Sequence, residues 1–101
     1  MSAHYAIHCL DGPESGPVRE RALAAHRDYV DGLQAHIAMS GPLLAEDGVA
    51  RTGQLYIVEA EDEHDARRFI DEDPFTVAGV FASITVHRFW AKFLNGAREA
   101  V

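Results

Sequence analysis

The chain has 101 residues, a formal net charge of -7, and a composition that is 48% hydrophobic and 25% charged. That balance belongs to one globular domain, 1–101, rather than to a disordered chain. The acidic excess argues against gripping nucleic acid by its phosphates and against docking on an anionic membrane, since both need clustered Lys and Arg. Cys9 is the single cysteine, so no internal disulfide can form, and a reducing, cytoplasmic setting fits. The start, Met1 to Tyr5, lacks the basic residues and apolar run of a secretory signal. No apolar stretch approaches the roughly 20 residues of a membrane span.

His4 to Leu10 reads as a strand, with Tyr5, Ile7 and Cys9 on one face and His4, Ala6, His8 and Leu10 on the other. Asp11-Gly12-Pro13 stops it. A first helix is expected from Pro17 to Met39, because Val18, Ala22, His26, Tyr29, Val30, Leu33 and Ile37 recur at steps of three and four. His26 lies inside that apolar stripe, not on the charged face. Ser40-Gly41-Pro42 is expected to cap and stop the helix. Leu43 to Ala45 and Gln54 to Ala60 then form a hairpin with a loose tip at Gly48 to Gly53. Glu61-Asp62-Glu63 opens a second helix, whose apolar side is Ala66, Phe69 and Ile70.

That helix should end near Glu72, because Pro74 disfavours helical backbone at Asp73. Pro74 suits the first position of a new helical turn, and Asp73 is then its N-cap. Val80 to Trp90 reads as the longest strand, with Ala82, Ile84, Val86 and Trp90 on one side and Phe81, Ser83, Thr85, His87 and Phe89 on the other. The tail, Lys92 to Val101, is weakly patterned and free to fray or to dock on a partner.

The order β-α-β-β-α-β is the split-βαβ arrangement: an α+β, ferredoxin-like fold with a four-stranded antiparallel sheet. Two helices cover one face of such a sheet. The other is expected to carry His8, Leu10, Tyr56, Val58, Phe81, His87 and Phe89, too apolar a surface to leave in water. A homodimer packing sheet against sheet or edge to edge, of the dimeric α/β-barrel type, would bury it.

Several pieces in this order resemble the YciI-like (YCII-related) family of small α+β proteins. They are Tyr5 to Asp11, Arg21 to Tyr29 around His26, Ser40-Gly41-Pro42-Leu43, Gly53-Gln54-Leu55-Tyr56, Asp73-Pro74-Phe75, and Ala78-Gly79-Val80-Phe81. The resemblance implies a ferredoxin-like, usually dimeric fold. It also implies a site in which a histidine of the first helix pairs with the aspartate of the Asp-Pro-Phe turn, here His26 and Asp73. One member of the family dehalogenates chlorinated hydroxyquinols, though no residue of this sequence selects that substrate.

Such a pair makes chemical sense. A carboxylate on one imidazole nitrogen fixes the tautomer and raises the basicity of the other nitrogen, which can then act as general base on a small molecule. The competing reading of His26 is a core histidine bonded to a buried carbonyl, and that of Asp73 is a plain helix cap; one carboxylate oxygen can cap while the other orients His26. Asp11, Tyr29, Ser40, Gly41, Pro42, Phe75 and Phe81 are the expected pocket lining, with turn or core packing as the alternative for each. Arg19 and Arg88 are read chiefly as surface ion pairs. His8 and His87 share a sheet face, but no third metal ligand is placed beside them. The expectation is therefore a cofactor-free acid–base enzyme of lyase or isomerase type, or else a small-molecule-binding or dimerising module.

Overall fold

A computed structural model describes residues 3–99. β1 (Ala3–Asp11) leads into α1 (Ser15–Gly32), a single 3-10 turn at Gln34–His36, then β2 (Ile37–Leu44) and β3 (Arg51–Ala60). After these come α2 (Glu63–Asp71), the short α3 (Pro74–Ala78) and β4 (Phe81–Phe89). The strands form an antiparallel sheet in the order β2-β3-β1-β4, with the helices on one face. This is the expected ferredoxin-like α+β fold.

The core lies between helices and sheet. Tyr5, Ile7 and Cys9 of β1 meet Tyr56 and Val58 of β3, Val86 of β4, and Ala66 and Ile70 of α2. Ile7 and Ile70 are fully enclosed, each contributing about 1.5–3 kcal/mol by leaving water. α2 begins where Asp62 accepts a hydrogen bond from the Asp65 backbone at 2.8 Å. α3 begins at Pro74 with Asp73 as its cap, and ends in left-handed Gly79 (φ 87°), where the Val80 amide returns to the Phe75 carbonyl.

Three expectations are corrected. First, α1 ends at Gly32, not at Met39. The apolar spacing continues through Leu33 and Ile37, but Ile37 pairs with Val58 in the sheet, and cross-strand packing overrides the helical period. Ser40-Gly41-Pro42 is therefore strand, not cap. Pro42 is tolerated because β2 is an edge strand with no ladder partner on one side. Second, Tyr56 and Val58 face the helices, since they pair with Ile7 and Tyr5. Third, the pairing slips between Leu10 and Asp11, so that Asp11 meets Phe81 and Ala82 is skipped. The bulge turns Phe81 to the helix side, where its ring meets Phe75 edge-on at 6.2 Å. His8, Leu10, His87 and Phe89 do lie on the uncovered face, joined by Leu55 and Ile57.

Trp90 lies beyond β4 and is 58% exposed, with the Lys92 ammonium 3.9 Å above its ring. The tail forms a small hairpin, β5 (Phe93–Leu94) with β6 (Ala97–Arg98). Asn95 (φ 52°) and Gly96 (φ 77°) supply the two positive-φ residues that its tight turn needs. Residues 100–101 of the expected tail lie outside the described residues.

Gly53 sits at the centre of three strands, opposite Leu10 on one side and Leu43 on the other. A Cβ there would collide with the Cys9 carbonyl. Gly53→Ala is expected to lower unfolding free energy by about 1–3 kcal/mol, because backbone rather than a flexible side chain must move. A urea midpoint equal to the parent's would refute this.

Candidate functional site

α1 places Arg19 and His26 on one face, two turns apart, and that face packs chiefly against α3. α3 contributes Asp73 at its cap and Phe75 in its first turn. β3 contributes Tyr56 from the sheet below.

Asp73 has no exposed surface. Its Oδ1 accepts from the Phe75 backbone N–H at 2.9 Å and lies 2.8 Å from His26 Nδ1. Its Oδ2 accepts from the Tyr56 hydroxyl at 2.7 Å. Asp73 Oδ1 and Oδ2 already accept from a backbone amide and a phenol, so the contact with His26 is a hydrogen bond when Nδ1 carries a proton and donates to Oδ1. Nε2 has no hydrogen-bond partner among the described residues, and it is not among the fully enclosed unpaired atoms. His26 is 7% exposed overall. Its ring lies flat on Phe75, with centroids 3.7 Å apart and planes 8° apart.

Capping and orienting thus coexist at Asp73, but through the same oxygen. The second oxygen belongs to Tyr56, a residue that sequence reasoning had assigned to the wrong sheet face. The signal was the step of two between Tyr56 and Val58 and their pairing with Ile7 and Tyr5, which no local pattern reveals. Burial, then the charge of Asp73, pushes the Tyr56 hydroxyl far above its ordinary range. It stays neutral and can only donate toward that carboxylate.

Asp11 does not open onto His26. Both its oxygens are held by Arg19, at 2.7 and 2.8 Å, and Ser15 adds a longer contact at 3.3 Å. Arg19 is buried rather than on the surface, and its guanidinium carbon lies 5.4 Å from the centroid of the Phe75 ring. Phe75 therefore touches both His26 and Arg19. Phe81 closes the same wall. Tyr29 turns away: its hydroxyl donates to the Phe69 carbonyl at 2.6 Å and ties α1 to α2. It lines a cavity of about 390 Å³ with Leu33, Val58, Arg68 and Phe69, and His26 is not part of that lining. Ser40, Gly41 and Pro42 border a shallower groove of about 220 Å³ beside β2. Ser40 is the cross-strand partner of Tyr56, so this stretch adjoins the site without bonding to it.

Cys9 is fully enclosed, and burial, with the Asp73 and Asp11 charges behind it, pushes its thiol up to about 12. Among the described residues no three His, Cys, Asp or Glu side chains converge as metal ligands. His36 and His64 are exposed.

Fold and site together define a small α+β protein with a histidine–carboxylate pair enclosed between its helices and its sheet. The model of the YCII-related domain family matches residues 3–90, and the chain belongs to that family. It is similar to 5-chloro-2-hydroxyhydroquinone dehydrochlorinase (TftG) from Burkholderia phenoliruptrix AC1100, solved in complex with 2,5-dihydroxybenzoquinone. The two share 37% identity over 86% of this chain and 93% of that one, with a TM-score of 0.78. MtbAldR shares the fold alone, at 16% identity and a TM-score of 0.54 over 98% of this chain and 60% of its own. No curated protein sequence matches the chain. No helix among the described residues is long and apolar enough to cross a membrane.

Two buried acids, Cys9 and Tyr56, and half-buried Tyr29 set an alkaline limit on stability. Cys9 moves from 9.0 to about 12 and Tyr29 from 10.0 to about 12, both chiefly by burial, and Tyr56 moves in the same direction. Each is neutral in the native chain and ionises first in the unfolded one. Their contribution is complete below pH 9 and is lost as pH rises from 9 toward 12. Urea midpoints should fall steadily across that window. A Cys9→Ala variant should begin its decline later, near pH 10, where the unfolded tyrosines start to ionise. A flat profile to pH 11 in the parent would contradict the assignment.

Proposed function

We propose that the protein is an acid–base enzyme of the lyase class, acting on a small hydroxylated ring compound, with His26 as general base and Asp73 as the residue that orients it. The observation that carries this reading is the Nδ1–Asp73 bond, which leaves Nε2 as the one nitrogen of His26 free to take a proton. The similarity to a dehydrochlorinase supports the reaction class. His26 Nε2 accepts a proton from the substrate, and the electron pair it leaves behind enters the ring. A leaving group departs with its own pair, so H–X is lost and no outside oxidant is consumed. Phe75, flat against His26, offers an apolar wall.

Turnover of 5-chloro-2-hydroxyhydroquinone, read as chloride release, tests the proposal. His26→Ala and His26→Gln should each lower kcat by about 10²–10⁴-fold while circular dichroism shows a folded protein. Turnover unchanged in both variants would overturn His26 as the base. A second reading, a binding module without turnover, is favoured by the slight exposure of His26 and by its absence from the lining of the larger cavity. Ligand-induced thermal shifts with no product would select it.

The uncovered sheet face supports a homodimer. Leu10 (44% exposed), Met39 (53%) and Phe89 (41%) stand on it or on its edge beside Leu55 and Ile57. A second copy packing face to face removes them from water. Light scattering should give the mass of a dimer, and Leu10→Glu should give that of a monomer. A parent monomer at millimolar concentration would rule out the pairing.

A further inference from the structure

The chain divides sharply by charge. Residues 86–98 carry Arg88, Lys92 and Arg98 and not one acid, while the rest of the chain holds all 16 Asp and Glu against six Lys and Arg. A basic segment on an acidic body is attracted to any copy of that body. The same segment is where apolar surface concentrates. Phe89, Trp90, Phe93 and Leu94 fall within six residues and are 41%, 58%, 61% and 42% exposed. Trp90 and Phe93 alone leave on the order of 250 Å² in water.

The hairpin of β5 and β6 has nothing of its own chain to rest on. Each strand is two residues long, and all four residues are exposed. A lone two-stranded hairpin is marginal in water. No helix or strand of the main sheet among the described residues makes more than slight contact with it. Its contacts are internal: the Lys92 ammonium lies 3.9 Å from the Trp90 ring centre, and the Arg98 guanidinium carbon 4.5 Å from that of Phe93. Such cation–ring contacts strengthen when water is excluded.

Position favours one occupant. Phe89 ends β4 on the uncovered sheet face, opposite His4, and Trp90 follows it directly. A second copy seated on that face therefore borders the hairpin. A stable pair takes about 800 Å² from each partner, more than half of it apolar. The hairpin adds its rings to what Leu10, Met39 and Phe89 supply there, and aromatic and arginine side chains dominate binding at such contacts. A polyanion or an anionic membrane would meet the hairpin's cations but also the acidic body behind them.

We infer that residues 90–98 form an arm that docks on a second copy of this chain, with Trp90, Phe93 and Leu94 as apolar anchors and Lys92 and Arg98 set against the partner's acids. The inference rests on the homodimer read from the uncovered sheet face and extends that contact beyond the sheet.

Trp90 is the single tryptophan of the 101 residues, so its fluorescence reports on the arm without a label. Acrylamide quenching in the parent dimer should be lower by about half or more than in the monomer, reached by dilution or by Leu10→Glu. Equal quenching in dimer and monomer overturns the inference and leaves the sheet pairing standing. A second experiment removes the anchors. Phe93→Ser with Leu94→Ser should leave circular dichroism unchanged and raise the dimer dissociation constant, read by analytical ultracentrifugation, by about 100-fold. A constant equal to the parent's overturns the arm. Shielding of Trp90 by phosphatidylserine vesicles, with none by a second copy, assigns the arm to a membrane and overturns it too. A parent that stays monomeric at millimolar concentration overturns the homodimer itself, and the inference falls with it.

Discussion

Everything near the centre of this protein depends on one buried carboxylate. An aspartate removed from water costs several kcal/mol unless its lone pairs are met. Asp73 is met from three directions: by α1 through His26, by β3 through Tyr56, and by its own helix through the Phe75 amide. Those donors come from both layers of the fold. Satisfying Asp73 therefore fixes how far α1 stands from the sheet and how α3 is seated between them. The same bonds that make the carboxylate tolerable also aim His26. Capping α3 and holding the His26 ring are thus not alternatives at this residue; one carboxylate does both.

Much of this was legible in the sequence because it is local. The alternation of Tyr5, Ile7 and Cys9 and the Asp73-Pro74 step are each decided by a few neighbouring residues, and both are found as expected. The failures share one cause. Ile37 continues a helical period but is captured by Val58, Phe81 is turned over by an extra residue in its strand, and Tyr56 faces inward because Ile7 does. Strand register is a long-range property, and a slip of one residue moves a side chain to the other face. The His26–Asp73 pair, 47 residues apart, came from the family resemblance and not from spacing; Tyr56, which completes it, could not come from spacing either.

The electrostatics of the interior differ from those of the whole chain. The protein is strongly acidic, yet among the described residues buried Asp73 is paired with His26 and Tyr56, and part-buried Asp11 with Arg19. Matched pairs present little net field to an arriving molecule. What is left without a protein partner is directional: Nε2 of His26, Oε1 of Gln54, Nε of Arg19 and Oγ1 of Thr76.

The same layered topology recurs in MtbAldR at 16% identity, and a fold by itself does not assign a function. Function has to be argued from the contents of the gap between helices and sheet. Here Tyr56 and Gln54 lie on the helix-facing side of β3, and α1 and α3 pack together above the sheet. The opposite sheet face carries Leu10, Leu55, Ile57 and Phe89 together with His8 and His87. Because side chains alternate along a strand, each residue pair of β1 and β3 serves both at once. A substitution meant to alter the interface at Leu55 has Gln54 and Tyr56 as its immediate chain neighbours, and any shift of that backbone passes directly to the donor that holds Asp73.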